Sequence, residues 1–199
     1  VGTLTGLWVS DVGDSYYGIW SGSARIQKYT ISNSTSTAWS SVSTTFQYPR
    51  GMIADSSGNI YLADAGAHYI RKFAPDGTIS TIAGTGSASS TGDGGAATSA
   101  TMNTPFDVAV DASGNVYFTD TNGSRIRKIS TNGTISTILG NGTSSYTGDG
   151  GLAINAKTGL LWGIAVDGAG NIFFGERSYG SIRRIDAATG IVTRVAGIG

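Results

Sequence analysis

The sequence predicts an all-β protein assembled from repeated four-stranded antiparallel units, and three observations predict it. A segment of the chain recurs at a constant spacing of 56 residues, each copy breaks into four short runs of alternating polarity, and the runs are separated by turn-forming dipeptides.

The recurrence is plain on the page. Gly51-Met-Ile-Ala-Asp55-Ser-Ser-Gly-Asn59-Ile-Tyr-Leu-Ala-Asp64 returns as Asp107-Val-Ala-Val-Asp111-Ala-Ser-Gly-Asn115-Val-Tyr-Phe-Thr-Asp120, and again as Gly163-Ile-Ala-Val-Asp167-Gly-Ala-Gly-Asn171-Ile-Phe-Phe-Gly-Glu176. Asp55, Asp111 and Asp167 keep the same interval, and so do Arg71, Arg127 and Arg183. Within the copy over 48–84, apolar-alternating runs fall near 51–54, 60–63, 69–73 and 79–83. Alternation with period two is the mark of a strand with one face against a neighbour. Asp-Gly and Asn-Gly supply the positive φ angles of tight hairpins. Four antiparallel strands per repeat make one blade of a β-propeller.

These boundaries give a partial first blade over 1–46, a second over 48–84, an insert over 85–103, a third blade over 104–140, a second insert over 141–159 and a fourth blade over 160–197. Aligning Leu7-Trp-Val-Ser-Asp11 on Val116-Tyr-Phe-Thr-Asp120 makes the first blade lack its first strand. The expectation is therefore three complete blades plus one incomplete blade, in a partial ring closed by further sequence or by a neighbouring chain.

Composition narrows the function. Charged residues are 13% of the 199 and the formal net charge is zero, so no basic patch is available to neutralise nucleic-acid phosphates. The short basic steps at Arg71-Lys72, Arg127-Lys128 and Arg183-Arg184 belong to the repeat. There are no cysteines, which excludes disulfides and thiolate metal sites. No apolar run is long enough for a helix to span a bilayer.

From 105 to 140 the order is aliphatic-Ala-Val-Asp, Gly-Asn, Val-Tyr-Phe-Thr-Asp and Arg-Ile-Arg-Lys-Ile, and this resembles the NHL repeat; so do 48–84 and 161–197. The inserts Thr91-Gly-Asp-Gly-Gly-Ala-Ala and Thr147-Gly-Asp-Gly-Gly-Leu-Ala resemble an insertion common in secreted and cell-surface NHL proteins. The resemblance implies the propeller fold. It implies little about function, because such propellers mostly bind proteins, RNA or glycans, with some lyases and hydrolases among them.

Candidate site residues follow from the repeat and from its departures. The acids Asp64, Asp120 and Glu176 recur seven residues before Arg71, Arg127 and Arg183, and a group present in every blade reads as structural ion pairing rather than as a catalytic centre. Asp93 and Asp149 read as N-caps of a short helical turn in each insert, ahead of a one-carboxylate calcium site. His68 is the single histidine and has no visible partners for zinc or triad chemistry. No catalytic residue, metal or cofactor is expected.

Asn33, Asn122, Asn132 and Asn141 head Asn-X-Ser/Thr sequons and are candidate glycosylation sites; the last three are Asn-Gly, which equally serves a hairpin. An inserted stretch between Asp11 and Arg25 carries Tyr16, Tyr17 and Trp20, a candidate contact loop for a glycan or protein. The sequence reading is a non-catalytic structural or interaction module of the cell exterior, with a glycosylated unit of a larger fibre or adhesive assembly as its finer form. The expected partners are proteins, through self-assembly or a neighbouring chain that supplies the missing strand or blades, with glycans as a second class and with no nucleic acid and no membrane insertion. The alternatives are a fragment of a propeller enzyme of the lyase or hydrolase type and a glycan- or small-ligand-binding propeller.

Overall fold

The computed structural model describes residues 46–198 throughout, with the strand paths at 8–10, 15–20, 25–30 and 35–38. Its strands form four antiparallel sheets of four. The first holds β1 (Trp8–Ser10), β2 (Ser15–Trp20), β3 (Arg25–Thr30) and β4 (Thr35–Ala38). The second holds β5 (Pro49–Ala54), β6 (Ile60–Asp64), β7 (Tyr69–Phe73) and β8 (Ile79–Ala83). The third holds β9 (Pro105–Val110), β10 (Val116–Asp120), β11 (Arg125–Ile129) and β12 (Ile135–Leu139), and the fourth β13 (Leu161–Val166), β14 (Ile172–Glu176), β15 (Ser181–Ile185) and β16 (Val192–Gly197). Each sheet runs in simple sequence order, and the first strands β5, β9 and β13 lie against one another. This is the propeller arrangement, with first strands innermost.

Among the described residues the first sheet holds four strands, with Trp8–Ser10 leading. It corrects one expectation. The stretch carrying Tyr16, Tyr17 and Trp20 is not a loop but β2, pairing with β1 on one side and β3 on the other. Ser-Tyr-Tyr-Gly-Ile-Trp is rich in aromatic and β-branched residues, which favour a paired extended chain over an exposed turn. Asn33 lies outside the described residues.

Period two explains how the sheets stack. Ile60 and Leu62 of β6 cluster with Met52 and Phe73 on one face of the second sheet, whereas Tyr61 and Ala63 point the other way. They meet Val108, Val116, Phe118, Ile129 and Ile135 of the third sheet. Tyr117, Ile126 and Leu139 repeat the contact against Leu161, Ile164, Phe174 and Val192 of the fourth. Ile70 and Ile126 are wholly buried in these interfaces, and the equivalent Ile182 on the open face of the fourth sheet is 47% exposed.

Each of the turns at Asp55, Asp111 and Asp167 is organised by its own aspartate. Asp111 Oδ1 accepts from the amides of Ser113 and Asn115, and Oδ2 accepts from Asn115 Nδ2 and the Tyr117 hydroxyl. Asp55 does the same with Ser57, Asn59 and Tyr61. Burial works against these carboxylates, but the hydrogen bonds outweigh it and hold both below the usual range. Gly58, Gly114 and Gly170 take the left-handed φ that follows.

Candidate functional site

The inserts are edge covers with a charged anchor. In the first, Gly94 N donates to the Ile135 carbonyl, Ile135 N donates to the Gly95 carbonyl and Ala97 N donates to the Gly133 carbonyl. The insert thus adds a short bonded segment to the outer edge of β12, the edge a propeller would otherwise leave open. Gly150, Gly151 and Ala153 do the same along β16. A short 3-10 turn follows each time, at Ala97–Ser99 and Ala153–Asn155.

Asp93 and Asp149 do not cap those turns, whose N-cap positions are Ala96 and Leu152 without a side-chain hydrogen bond. They reach instead to the repeat arginines. Arg127 Nη2 donates to Asp93 Oδ1 at 2.9 Å and to the Thr91 carbonyl at 2.9 Å, while Nη1 donates to the Thr101 carbonyl at 2.6 Å. Arg183 is held the same way by Asp149 and by the carbonyls of Thr147 and Lys157. Both arginines are completely buried. A guanidinium has five donors and no acceptor, so a carboxylate plus carbonyls is the environment that lets it be buried.

The recurring acids stand on the inner side of these arginines. Asp64 meets Arg71 at 3.1 Å, Asp120 is 3.8 Å from Arg127, and Glu176 is 3.6 Å from Arg183. Each acid also accepts a backbone amide from the approach to its blade's first strand: Gln47, Asn103 and Gly159 respectively. Asp120 is the extreme case. Burial pushes its carboxyl up to about 6 against the opposing bonds and charges, and its Oδ2 has no hydrogen-bond partner among the described residues.

Asp107 is an acid that the repeat does not share, since Gly51 and Gly163 hold the same position. Its Oδ2 accepts from the amide of Ile164 at 2.9 Å and its Oδ1 from its own neighbour Val108. It staples the inner strands of two blades, and burial raises its pKa. A Cβ at position 51 would run into Asp107 Oδ1 and the Asp107 backbone, so only glycine fits there.

A cavity of about 540 Å³ opens where β5, β9 and β13 begin, beside the turns that end β6, β10 and β14. Phe106 and Trp162 stack inside it, with ring centroids 5.3 Å apart and planes 4° apart. Arg50 lies over Phe106 at 5.3 Å and Arg177 over Trp162 at 4.6 Å, so each ring of the pair also carries a cation. Tyr48, 76% exposed, stands at the rim. His68 is also in the lining; its Nδ1 accepts from the amide of Thr104, so a neutral ring carries its proton on Nε2. Tyr48, His68 and Thr104 all hold positive φ without being glycine.

This site was missed because the reading looked for chemistry within a single motif. Arg50, Phe106 and Trp162 occupy one repeat position in three successive blades, as do Tyr48, Thr104 and Leu160, and Ala65, Thr121 and Arg177. The signal was available as variation: the flanking positions repeat while these change from blade to blade. Of the sequons, Asn122 borders the cavity and donates through Nδ2 to Thr104 Oγ1 at 2.9 Å. Asn132 and Asn141 are exposed in turns, each accepting a backbone amide two residues on.

The family model of the Teneurin NHL domain matches residues 85–147, the first insert with the third blade and the start of the second insert. That match and the teneurin relatives support an NHL-repeat family for the chain. Teneurin-1 of Gallus gallus is 43% identical over 74 residues, covering 34% of this chain and 3% of that protein. This chain therefore spans a small fraction of the curated relatives it matches. Among solved structures, a Bacteroides thetaiotaomicron protein superposes with a TM-score of 0.75 at 21% identity, over 89% of this chain and 46% of that one. A streptogramin B lyase superposes at 0.69 and 19% identity, over 95% and 53%. Likeness at that identity shows the fold. The NHL repeats here stack as propeller blades.

Proposed function

We propose that this chain is a non-catalytic interaction module of the cell exterior, binding protein through the cavity at the start of its inner strands. One observation carries the reading. On a scaffold whose interior is repeated almost unchanged, the cavity-lining positions vary and carry Tyr48, Arg50, Trp162 and Arg177, the residue types that dominate protein-binding hot spots. The match to a teneurin domain supports the extracellular placement, as do low charge and exposed Asn-Gly-Ser/Thr sequons. Non-catalytic use is supported by His68, whose Nδ1 is committed to a backbone amide.

The open face of the fourth sheet supports assembly with a further NHL-type blade. Ile182 is exposed at the position where a following blade buries Ile70 and Ile126. Beads coated with the chain test the main reading. The expected result is binding to intact cells that express the partner, lost on Trp162→Ser. Turnover of lactones or cyclic depsipeptides by the purified chain, abolished by the same substitution, would overturn it.

A further inference from the structure

The stack in the cavity has a property that names its ligand. Phe106 and Trp162 turn a face to each other, and each also has a guanidinium over it, Arg50 on Phe106 and Arg177 on Trp162. The ring area spent on these contacts is closed to a sugar or a base. The two guanidinium groups themselves stay open. A guanidinium held over an aromatic ring keeps its N–H fork available, and that fork matches a carboxylate with two parallel hydrogen bonds.

Charge points the same way. The lining contains Arg50 and Arg177 but neither Asp nor Glu. Among the described residues no carboxylate lies within 4 Å of Arg50 or Arg177, in contrast to the repeat arginines Arg71, Arg127 and Arg183; Arg125 and Arg194 also lack a carboxylate but are bonded to backbone carbonyls. Arg50 and Arg177 are both exposed. In a protein with so few charges, two cations standing apart on an aromatic stack form a site built for anions.

We propose that this cavity docks an acidic polypeptide segment, with one carboxylate on Arg50 and a second on Arg177, and the Phe106–Trp162 edges and Tyr48 packing on the chain between them. The inference rests on the interaction-module reading and adds the chemistry of the partner. Peptide is favoured over an acidic glycan because the ring area that Phe106 and Trp162 spend on each other and on the two guanidinium groups is not free to stack on sugars.

The test uses the full chain and three probes: a capped peptide alternating Glu and Gly, the same peptide with Gln for Glu, and a sulfated heparin oligosaccharide. Titration calorimetry should show the Glu peptide binding, more weakly as salt rises, and the Gln peptide failing. Arg50→Gln and Arg177→Gln should each weaken it at least ten-fold, and Arg→Lys should recover only part because the fork is lost. An unchanged melting temperature in both variants separates lost binding from lost fold. The proposal falls if the Glu peptide does not bind, if either Gln variant binds it unchanged, or if only the oligosaccharide binds. If Trp162→Ser abolishes cell binding while both Gln variants keep it, the interaction reading stands and the acidic partner does not.

Discussion

The second blade and the third use the same arginine differently. Arg71 is bonded by Asp64 and by the Thr81 hydroxyl, and its side chain stays 12% exposed. Arg127 is wholly enclosed, with Asp120 inside, Asp93 outside and two backbone carbonyls between. The repeat supplies the arginine and the inner acid alike; the insert adds everything else. The lesson is that the insert's Thr-Gly-Asp-Gly-Gly is a structural clamp. It covers the outer strand edge and delivers one carboxylate to a cation that could not otherwise be buried.

The sharpest way to break the comparison is to remove the cation. Arg127→Met leaves Asp120 buried without its countercharge and two carbonyls unpaired, and breaking a buried pair from one side costs about 3–5 kcal/mol. Arg71→Met breaks a less enclosed pair and should cost nearer 2 kcal/mol, on the scale of charge-assisted hydrogen bonds. Urea unfolding of the two variants beside the parent measures the difference. Equal losses would mean that the insert contributes nothing to the clamp.

Acid titration sharpens the same contrast. Burial raises the Asp120 carboxyl to about 6 in the folded protein, against 3.8 as its ordinary value. The folded state therefore holds a proton more tightly than the unfolded chain between those values. Stability from this group is greatest when it is protonated, falls as pH rises from about 4 to about 6, and is level above that. A shift of that size corresponds to something on the order of 3 kcal/mol. Asp120→Asn should flatten that part of the stability–pH curve and leave the protein more stable at pH 7. A decline between pH 4 and 6 that persists in the variant would assign it to Asp64, Asp107 or Glu176, whose pKa values burial also raises.

How much of this was legible in the sequence follows the range of each interaction. Strand and turn positions in the last three blades rest on local signals, alternation and Asp-X-X-Gly-Asn, and those are read directly from the chain. The role of Asp93 was not legible, because its partner Arg127 is 34 residues away and the local alternative, a helix cap, is satisfied by the same letters. Tyr16, Tyr17 and Trp20 were read as a loop because they interrupt the repeat, but strand pairing depends on neighbours on both sides, not on agreement with a template. The cavity was hidden for a third reason. Its residues come from three blades, and only folding sets Arg50, Phe106 and Trp162 side by side.

The smallest expected effect separates the third blade from the fourth. Asp111 accepts the Tyr117 hydroxyl at 3.0 Å; burial first, and then this bond, push the phenol pKa up, and the bond helps draw the carboxyl down. In the fourth blade Phe173 stands in place of that tyrosine, so Asp167 keeps the turn bonds to Ala169 and Asn171 but receives no hydroxyl. Tyr117→Phe should therefore make the third blade like the fourth at a cost of about 1 kcal/mol, the usual net worth of one such hydrogen bond. Because the lowered carboxyl of Asp111 stabilises the fold above its unfolded pKa and loses that contribution on acidification, the loss should be full at pH 7 and shrink below pH 4. Phe173→Tyr is the converse and should gain less, since Asp167 is exposed and water already satisfies it. A pH-independent loss in Tyr117→Phe would locate the tyrosine's contribution in its ring, packed between blades beside Leu161 and Ile164, and not in its hydroxyl.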